Sequence, residues 1–445
     1  MNLQISRILH AGYLFEYGDQ KIAFDPIFEN PFSRNCYAFP NVQFDHEQIR
    51  GLRLDAVFIS HFHDDHCSLK SLDFLDKETP IYLFCVFPQL AEMICKLGFT
   101  HVQQLTLSTP VFVGPFEVLP LPALDVDVDS IFHIKVCGLN ILNVVDSWVS
   151  PTVMNILAQS SPWDLVLWPF QTMRELEVLS PRYSEPSTGD LLPEWCEQLK
   201  ILNPRFLVPS SCQFIHEDWS WYNSALFPIS YKRFQDNVAE ILPETQVWRL
   251  DPSASIKLAQ SSIENGLPLS WVQPLEEQNV DYKYISELKP PSTAEISKRF
   301  SPLTKDQTDM VFYFCRDELP RKYNELEFHD ESYFHEAKIW QLSIYDHQGH
   351  RTDFYYRISK GFMELASPEL APTAWLTEIA AFKLHSALTT GESLTSLYLR
   401  VNDMAFAAST ENEIRSADVI EDPLIRCLFN QDFGAYQRHQ LAQLR

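Results

Sequence analysis

An apolar strand leads directly into three histidines and two aspartates in Ala56-Val-Phe-Ile-Ser60-His61-Phe-His63-Asp-Asp65-His66. Residues at i and i+2 of an extended segment point to one side, so His61 and His63 can bind one metal ion together. The chain then turns, and Asp65 and His66 face a second ion beside the first. Neutral imidazoles and carboxylates are the usual ligands of zinc, iron and manganese. The stretch therefore predicts a two-metal site; a polar surface loop would not explain why a buried strand runs straight into the cluster.

Two further strands end at an acid. A largely apolar run from Gly138 ends at the carboxylate of Asp146, so Asp146 is predicted to bridge the two metals and, with Asp65, to be catalytic. A cap at the strand end is the alternative for Asp146. Asp25 ends another strand, where it could orient a ligand histidine from behind or serve as a plain turn residue before proline. We expect His10, which lies ahead of a strand, to be a packing residue.

Short β-like runs alternate with helix-like segments up to about Leu258, which is typical of an α/β sandwich. A polar stretch with Lys289-Pro-Pro-Ser follows, and then a hairpin pattern around residues 346–349. Trp375–Leu388 and Pro423–Leu444 look helical. We predict a metal-binding domain over residues 1–260, a connector over residues 261–301 and a small α+β domain over residues 302–445.

The composition of the chain argues against some classes of binding partner. The formal net charge is −24, which argues against nucleic acid and anionic membrane surfaces as partners. The longest apolar runs are far shorter than the ~20 residues that a membrane span needs, and residues 1–17 do not read as a signal peptide. The nine cysteines are scattered without a CxxC pair, as expected for reduced thiols. These features predict a cytoplasmic protein with no nucleic-acid or membrane partner.

The order of these motifs resembles the metallo-β-lactamase superfamily, whose HxHxDH signature is met by residues 61–66 and whose bridging aspartate is matched by Asp146. The resemblance covers roughly residues 3–258 and implies an αββα sandwich. The sequences around residues 25–32, 59–66, 139–146 and 208–214 look like the metallo domain of CMP-N-acetylneuraminate hydroxylases. That family also has a Rieske domain with paired cysteine and histidine ligands, which this chain does not carry, so we expect no iron–sulfur cluster in it.

The chain departs from the superfamily at two ligand positions. By its spacing to Asp146, Asp125 stands where the third histidine is expected, with Asp127 as its substitute. A carboxylate there is similar to that of the di-iron β-hydroxylases of chloramphenicol biosynthesis, and it favours iron or manganese over zinc. The alternative is that Asp125 is a loop acid and the site is incomplete. Residues 210–213 replace the last histidine of the superfamily, and the nearby His216 is a further candidate ligand.

These observations predict a dinuclear metal-dependent enzyme, with iron preferred and zinc or manganese as alternatives. The first hypothesis is a di-iron oxygenase that hydroxylates or otherwise oxidises a small or carrier-bound metabolite with an external electron donor. The second is a hydrolase of an ester, phosphodiester, amide or lactone, in which two metals lower the pKa of water to about 7. A non-catalytic module with a decayed site is a third, against which the retained HxHxDH argues. The ligands to the metals would be His61, His63, Asp65, His66, Asp125 and Asp146.

Overall fold

The computed structural model describes residues 2–326, 333–429 and 434–444. The chain divides into two compact units. Unit 1 comprises Met1–Met173, Ser187–Ile285 and Gln437–Arg445, and unit 2 comprises Arg174–Pro186 and Ser286–Tyr436. Of the predicted connector, residues 261–285 therefore lie in unit 1 and residues 286–301 in unit 2.

Within the described residues the strands are β1 (Leu3–Leu9), β2 (Gly12–Tyr17), β3 (Gln20–Phe24), β4 (Tyr37–Ala38), β5 (Val42–Phe44), β6 (Ala56–Ile59), β7 (Ile81–Leu83), β8 (Val102–Gln104), β9 (Val111–Val113), β10 (Phe116–Pro122), β11 (Ser130–Val136), β12 (Leu139–Asn143), β13 (Leu165–Pro169), β14 (Phe206–Ser210), β15 (Phe214–Ile215), β16 (Gln246–Val247), β17 (Ser255–Leu258), β18 (Ile263–Asn265), β19 (Val272–Pro274), β20 (Lys338–Tyr345), β21 (Arg351–Ser359), β22 (Phe362–Leu365), β23 (Thr373–Ala380) and β24 (Arg400–Val401). The helices are α1 (His46–Arg50), α2 (Leu69–Asp73), α3 (Pro88–Lys96), α4 (Pro151–Gln159), α5 (Glu175–Leu179), α6 (Pro193–Leu202), α7 (Tyr231–Ile241), α8 (Thr293–Ser297), α9 (Lys305–Tyr313), α10 (Leu319–Asn324), α11 (Ala381–Thr390), α12 (Ala408–Ser416), α13 (Pro423–Phe429) and α14 (Ala435–Gln443). None of the helices in this part of the chain combines the length and the apolar character that crossing a bilayer requires.

Unit 1 is built on two large sheets. The first has the strand order β18-β17-β1-β2-β3-β6-β7-β8, and the second has the order β16-β14-β13-β12-β11-β10-β9. In each sheet an antiparallel half adjoins a parallel half, which consists of β3, β6, β7 and β8 in the first and of β12, β13, β14 and β16 in the second. The parallel strands β6, β13 and β14 are buried at every residue, because such strands are covered on both faces.

The two sheets pack face to face through aromatic side chains. The ring centroids of Phe24 in the first sheet and Phe132 in the second are 5.1 Å apart, and Phe58 lies 6.1 Å from Phe132. Val57 and Ile59 point away from this core and are also fully buried, so the outer face of the first sheet is covered too. Helix α6 packs on the second sheet through Trp195 and Trp168. The predicted α/β sandwich with helices outside the sheets is confirmed.

Unit 2 contains a five-stranded sheet of order β22-β21-β20-β23-β24. The predicted hairpin is present as β20 and β21. The predicted helix over Trp375–Leu388 is wrong in its first half, since β23 runs to Ala380 and α11 begins only at Ala381. Trp375 and Ile379 of β23 are fully buried beside the parallel neighbour β20, and a central strand with both faces buried lacks the alternation that distinguishes it from a helix.

Candidate metal centre

The residues of the centre follow the carboxyl ends of strands that share an edge of the sandwich. Residues 61–66 follow β6, Asp25 follows the parallel neighbour β3, and Asp146 follows β12. Within the first loop, the backbone N–H groups of His66 and Cys67 both donate to the carbonyl of His63, at 3.1 and 2.8 Å. This turn reverses the chain and brings Asp65 and His66 back toward the end of the strand, as the sequence predicts.

One group of potential ligands combines His66, Asp65 and Asp146 with His10. Nε2 of His66 lies 3.0 Å from Oδ2 of Asp146 and 3.8 Å from Oδ2 of Asp65. Nε2 of His10 lies 3.2 Å from Oδ2 of Asp65 and 3.1 Å from Nε2 of His66. Two donors bound to one tetrahedral ion at 2.0–2.1 Å would be about 3.3 Å apart. The separations in this group therefore fit a shared metal ion.

The other group consists of His61, His63 and Asp129, whose potential ligand atoms lie within 4.8 Å of one another. Nε2 of His61 and Nδ1 of His63 are 3.0 Å apart, so two nitrogens with lone pairs converge. Oδ1 of Asp129 is buried without a hydrogen-bond partner among the described residues. Burial, reinforced by the nearby charge of Asp146, raises the pKa of Asp129 to about 6. A cation between these donors would satisfy all three.

Asp129 occupies the place for which the sequence indicated Asp125. Both Asp125 and Asp127 are exposed, and neither belongs to the two groups. Asp125 instead begins a turn, because its Oδ1 accepts the N–H of Asp127 at 3.2 Å and its carbonyl accepts the N–H of Asp129 at 2.9 Å. The hydroxyl of Ser130 then donates to the carbonyl of Ser60 at 2.7 Å, which ties the end of the turn to the histidine loop.

His216, the other predicted ligand, also lies outside both groups. It is buried after β15, and its ring centroid lies 5.7 Å from that of Phe214 and 5.3 Å from that of Tyr222. Its backbone N–H donates to Oδ1 of Asn223 at 2.7 Å. These contacts make His216 part of an aromatic cluster, and its role as a ligand stays a prediction.

Asp25 contacts one of the predicted ligand histidines directly and a second one through Ser60. It is fully buried, and its Oδ2 accepts from Nδ1 of His66 at 3.0 Å and from the hydroxyl of Ser60 at 2.6 Å. The same hydroxyl is 2.9 Å from Nδ1 of His61. With both Nδ1 atoms donating toward this carboxylate, the Nε2 atoms of His61 and His66 present their lone pairs to the two groups.

His10 is the residue that sequence reasoning placed elsewhere. It is buried in the turn between β1 and β2 with a φ of 54°, in the left-handed region that few non-glycine residues adopt. The guanidinium of the fully buried Arg7 donates through Nε to the His10 carbonyl at 3.0 Å and through Nη1 to the Pro209 carbonyl at 2.9 Å. The only signal in the sequence was a histidine ahead of a strand, which the packing role explained equally well.

The protonation states of the potential ligands follow from burial and from neighbouring charges. Burial lowers the pKa of His61 well below its usual value, so this imidazole is neutral, as a metal ligand must be. The carboxyl groups of Asp65 and Asp146 keep pKa values below the usual range despite burial, because His66 and His10 lie beside them. Burial works to lower the pKa of His66, but the charges of Asp146 and Asp65 hold it well above its usual value. Without a metal, a proton on His66 thus supplies positive charge to the carboxylates.

No protein-family model and no curated protein matches the chain. Among solved structures it is similar to Igni18, a metallo hydrolase from the archaeon Ignicoccus hospitalis, with 16% identity over 58% of this chain and 99% of that chain and a TM-score of 0.40. CmlA, a diiron β-hydroxylase from Streptomyces venezuelae, shows 16% identity over 58% of this chain and 53% of that chain with a TM-score of 0.40.

A third similar structure is the metallo-β-lactamase fold protein YhfI from Bacillus subtilis, with 14% identity over 58% of this chain and 99% of that chain and a TM-score of 0.38. The likeness to CMP-N-acetylneuraminate hydroxylases stays a prediction. Metallo-β-lactamase-fold proteins are thus among the solved structures to which this chain is similar.

Proposed function

We propose that this chain is a dinuclear metal-dependent enzyme. The two groups of donors adjoin each other, since the ring centroids of His61 and His66 are 4.0 Å apart, and paired ions in such enzymes lie about 3.5–4 Å apart. Asp146 is the best candidate for a bridge because its charge acts on both of these histidines. The proposed ligands are His61, His63 and Asp129 for one ion and His10, Asp65, His66 and Asp146 for the other.

The function that this donor set supports best is that of a di-iron oxygenase acting on a small or carrier-bound metabolite. The observation that carries this proposal is the carboxylate of Asp129 beside His61 and His63, where the resemblance leads us to expect a third imidazole. An anionic oxygen donor there favours iron or manganese over zinc. The bound ions would supply the activation of O₂, and an external donor would supply the two electrons of the net reaction R–H + O₂ + 2e⁻ + 2H⁺ → R–OH + H₂O.

The four imidazoles of the centre differ in exposure, since His63 is exposed and the other three are buried. His10 and His66 are buried, which fixes their imidazoles, whereas Asp65 and Asp146 of the same group are half-buried, as is Asp129. His63 is exposed and Asp129 is half-buried, so small molecules can approach the first group. A substrate would therefore bind on the side of His63 and Asp129.

The same exposure supports a second candidate, a dinuclear zinc or manganese hydrolase. Water reaches the side of His63 and Asp129, and two bound ions would lower the pKa of such a water to about 7. Esters, phosphodiesters, amides or lactones would then be the substrate class. In this case too, Asp25 and Ser60 would orient His61 and His66.

Metal analysis combined with two activity assays separates these candidates. The full chain would be purified from iron-supplemented and from zinc-supplemented cells and assayed for metal content, for O₂ uptake with a reductant, and for hydrolysis of generic esters and phosphodiesters. We expect two irons per chain and O₂ uptake that is lost in His61→Ala and kept in the matched surface variant Asp127→Asn. Two zincs with hydrolysis and no O₂ uptake would favour the hydrolase, and a chain that binds no metal would refute both.

A further inference from the structure

The last helix of the chain contacts the loop that carries the proposed ligands. We call residues 61–69 the ligand loop. Gln437 and Gln440 of α14 are both buried and, three residues apart, lie on one face of the helix. Their partners in the ligand loop are about 370 residues away in the sequence, and all of these residues belong to unit 1. The contact is therefore long-range and cannot be recognised from the sequence of residues 61–66 alone.

Gln437 bridges two segments of the ligand loop through hydrogen bonds to Phe62 and Cys67. Its Nε2 donates to the carbonyl of Phe62 at 2.9 Å and to the carbonyl of Cys67 at 3.5 Å. The first carbonyl lies between His61 and His63, and the second directly follows His66. One side-chain amide thus sets the distance between the segments that supply three of the proposed ligands.

Gln440 fixes the next part of the loop with both halves of its amide. Its Oε1 accepts the N–H of Leu69 at 2.8 Å, and its Nε2 donates to the hydroxyl of Ser68 at 3.0 Å. Ser68 in turn caps α2 by accepting the N–H of Ser71 and donates to Glu29. The exit of the ligand loop is therefore held from α14 and from the start of α2 together.

We infer that Gln437 and Gln440 are positioning residues of the metal centre. The inference rests on the proposed metal-binding function, since it is the spacing of His61, His63 and His66 that the two amides hold. If the loop already holds its ligands at the right spacing, metal binding does not have to order it and loses less entropy. Removing hydrogen-bond partners that orient metal ligands weakens metal binding about 10–100-fold. The C-terminal helix is thus a part of the metal centre.

Metal affinity and hydrogen exchange test this inference on the full chain. Gln437→Met and Gln440→Met keep the side-chain volume and remove the hydrogen bonds. We expect each to weaken binding of Zn²⁺ or Fe²⁺, measured by competition with a chelator, by about 10-fold, and Gln440→Met to speed exchange of the Leu69 amide. Gln440→Glu keeps the acceptor for that amide and should restore its protection. The control Gln443→Met lies on the exposed face of α14 and should bind metal as the wild type does.

The outcomes distinguish this inference from the proposed function. If both methionine variants are folded by circular dichroism and bind metal with wild-type affinity, the positioning role is wrong while the metal centre stands. If the wild type itself binds no metal, the proposed function and the inference fail together. Should Gln437→Met and Gln440→Met not fold, weaker metal binding by folded Gln437→Asn, whose shorter side chain withdraws the amide from the carbonyl of Phe62 without a change of charge, would support the inference, and unchanged binding would oppose it.

Discussion

Asp129 and Asp125 lie four positions apart in one loop, and their surroundings differ. Asp129 is half-buried beside His61 and His63, whereas Asp125 is exposed and caps its own turn. We expect Asp129→Asn to lower the affinity for one of the two ions by about 100-fold, since a neutral amide is a weak metal ligand. Asp125→Asn should keep two ions per chain. Elemental analysis after dialysis measures both, and loss of metal in Asp125→Asn alone would contradict the assignment.

Asp25 reaches both groups through its Oδ2 atom, in one case directly and in the other through Ser60. It accepts from His66 directly and reaches His61 through the hydroxyl of Ser60. Asp25→Asn should therefore weaken both ions, by about 10–100-fold, because it removes the charge that holds both imidazoles in one tautomer. Ser60→Ala should affect mainly the ion bound by His61. Stepwise titration with Co²⁺, followed by its absorption spectrum, resolves the two sites, and equal effects of the two substitutions would argue against this relay.

The sequence predicted the histidine loop, Asp65 and Asp146 because each follows directly from a strand that it also predicted. It favoured Asp125, with Asp127 as the substitute, and did not select Asp129, since all three lie in one loop and their placement depends on the turn that Asp125 begins. His10 comes from the turn between β1 and β2. Its position depends on the buried Arg7 and on a left-handed backbone, and neither property is encoded in a motif.

Elements were predicted well where apolar runs end at turn residues. Helices α4 and α6 each begin at a proline, which marks the start of a helix already in the sequence. The strands of both sandwich sheets likewise lie close to the predicted apolar runs. The pairing of α14 with the ligand loop could not be predicted, because glutamines at i and i+3 on a helix are also common on solvated faces.

At the level of elements, Gly12 allows β2 to approach β3 at the centre. A Cβ atom at this position would lie 2.7 Å from the carbonyl oxygen of Asp25 and 2.9 Å from that of Leu9. Both are backbone atoms that cannot rotate away, so we expect Gly12→Ala to lower the free energy of unfolding by about 1–3 kcal/mol. The substitution should also weaken metal binding, because it would displace His10 and Asp25. Urea unfolding measures the first effect and chelator competition the second.

A matched control for this substitution is Gly51→Ala at the exposed end of α1. Its φ is −82°, which alanine adopts readily, and the nearest atom to a new Cβ is 3.2 Å away. The free energy of unfolding should change by no more than about 0.5 kcal/mol. If Gly12→Ala cost as little as this control, the close approach of the two strands would not matter for the centre.

At the scale of the whole molecule, charge determines what the centre can bind. The chain carries a net charge of −24, and its surface potential attracts cations while it repels anions over a Debye length of about 8–10 Å. Within the centre, three carboxylates stand close together in Asp65, Asp129 and Asp146. A cation bound there offsets both the local repulsion and part of the overall charge, so metal binding and folding should be coupled.

Removing the metal should therefore destabilise the chain. A ligand that binds only the folded state adds about 2.7 kcal/mol to the free energy of unfolding when its free concentration is 100 times its Kd. Treatment with a chelator should lower the melting temperature of the full chain in calorimetry, and added Fe²⁺ or Zn²⁺ should restore it. Asp129→Asn, which has lost one ligand of the first group, should show a smaller shift than the wild type. If the wild type melts at the same temperature after verified loss of metal, metal binding contributes nothing to the stability of the fold. Bound protons would then have to offset the negative charge of the carboxylates, as the raised pKa of His66 allows.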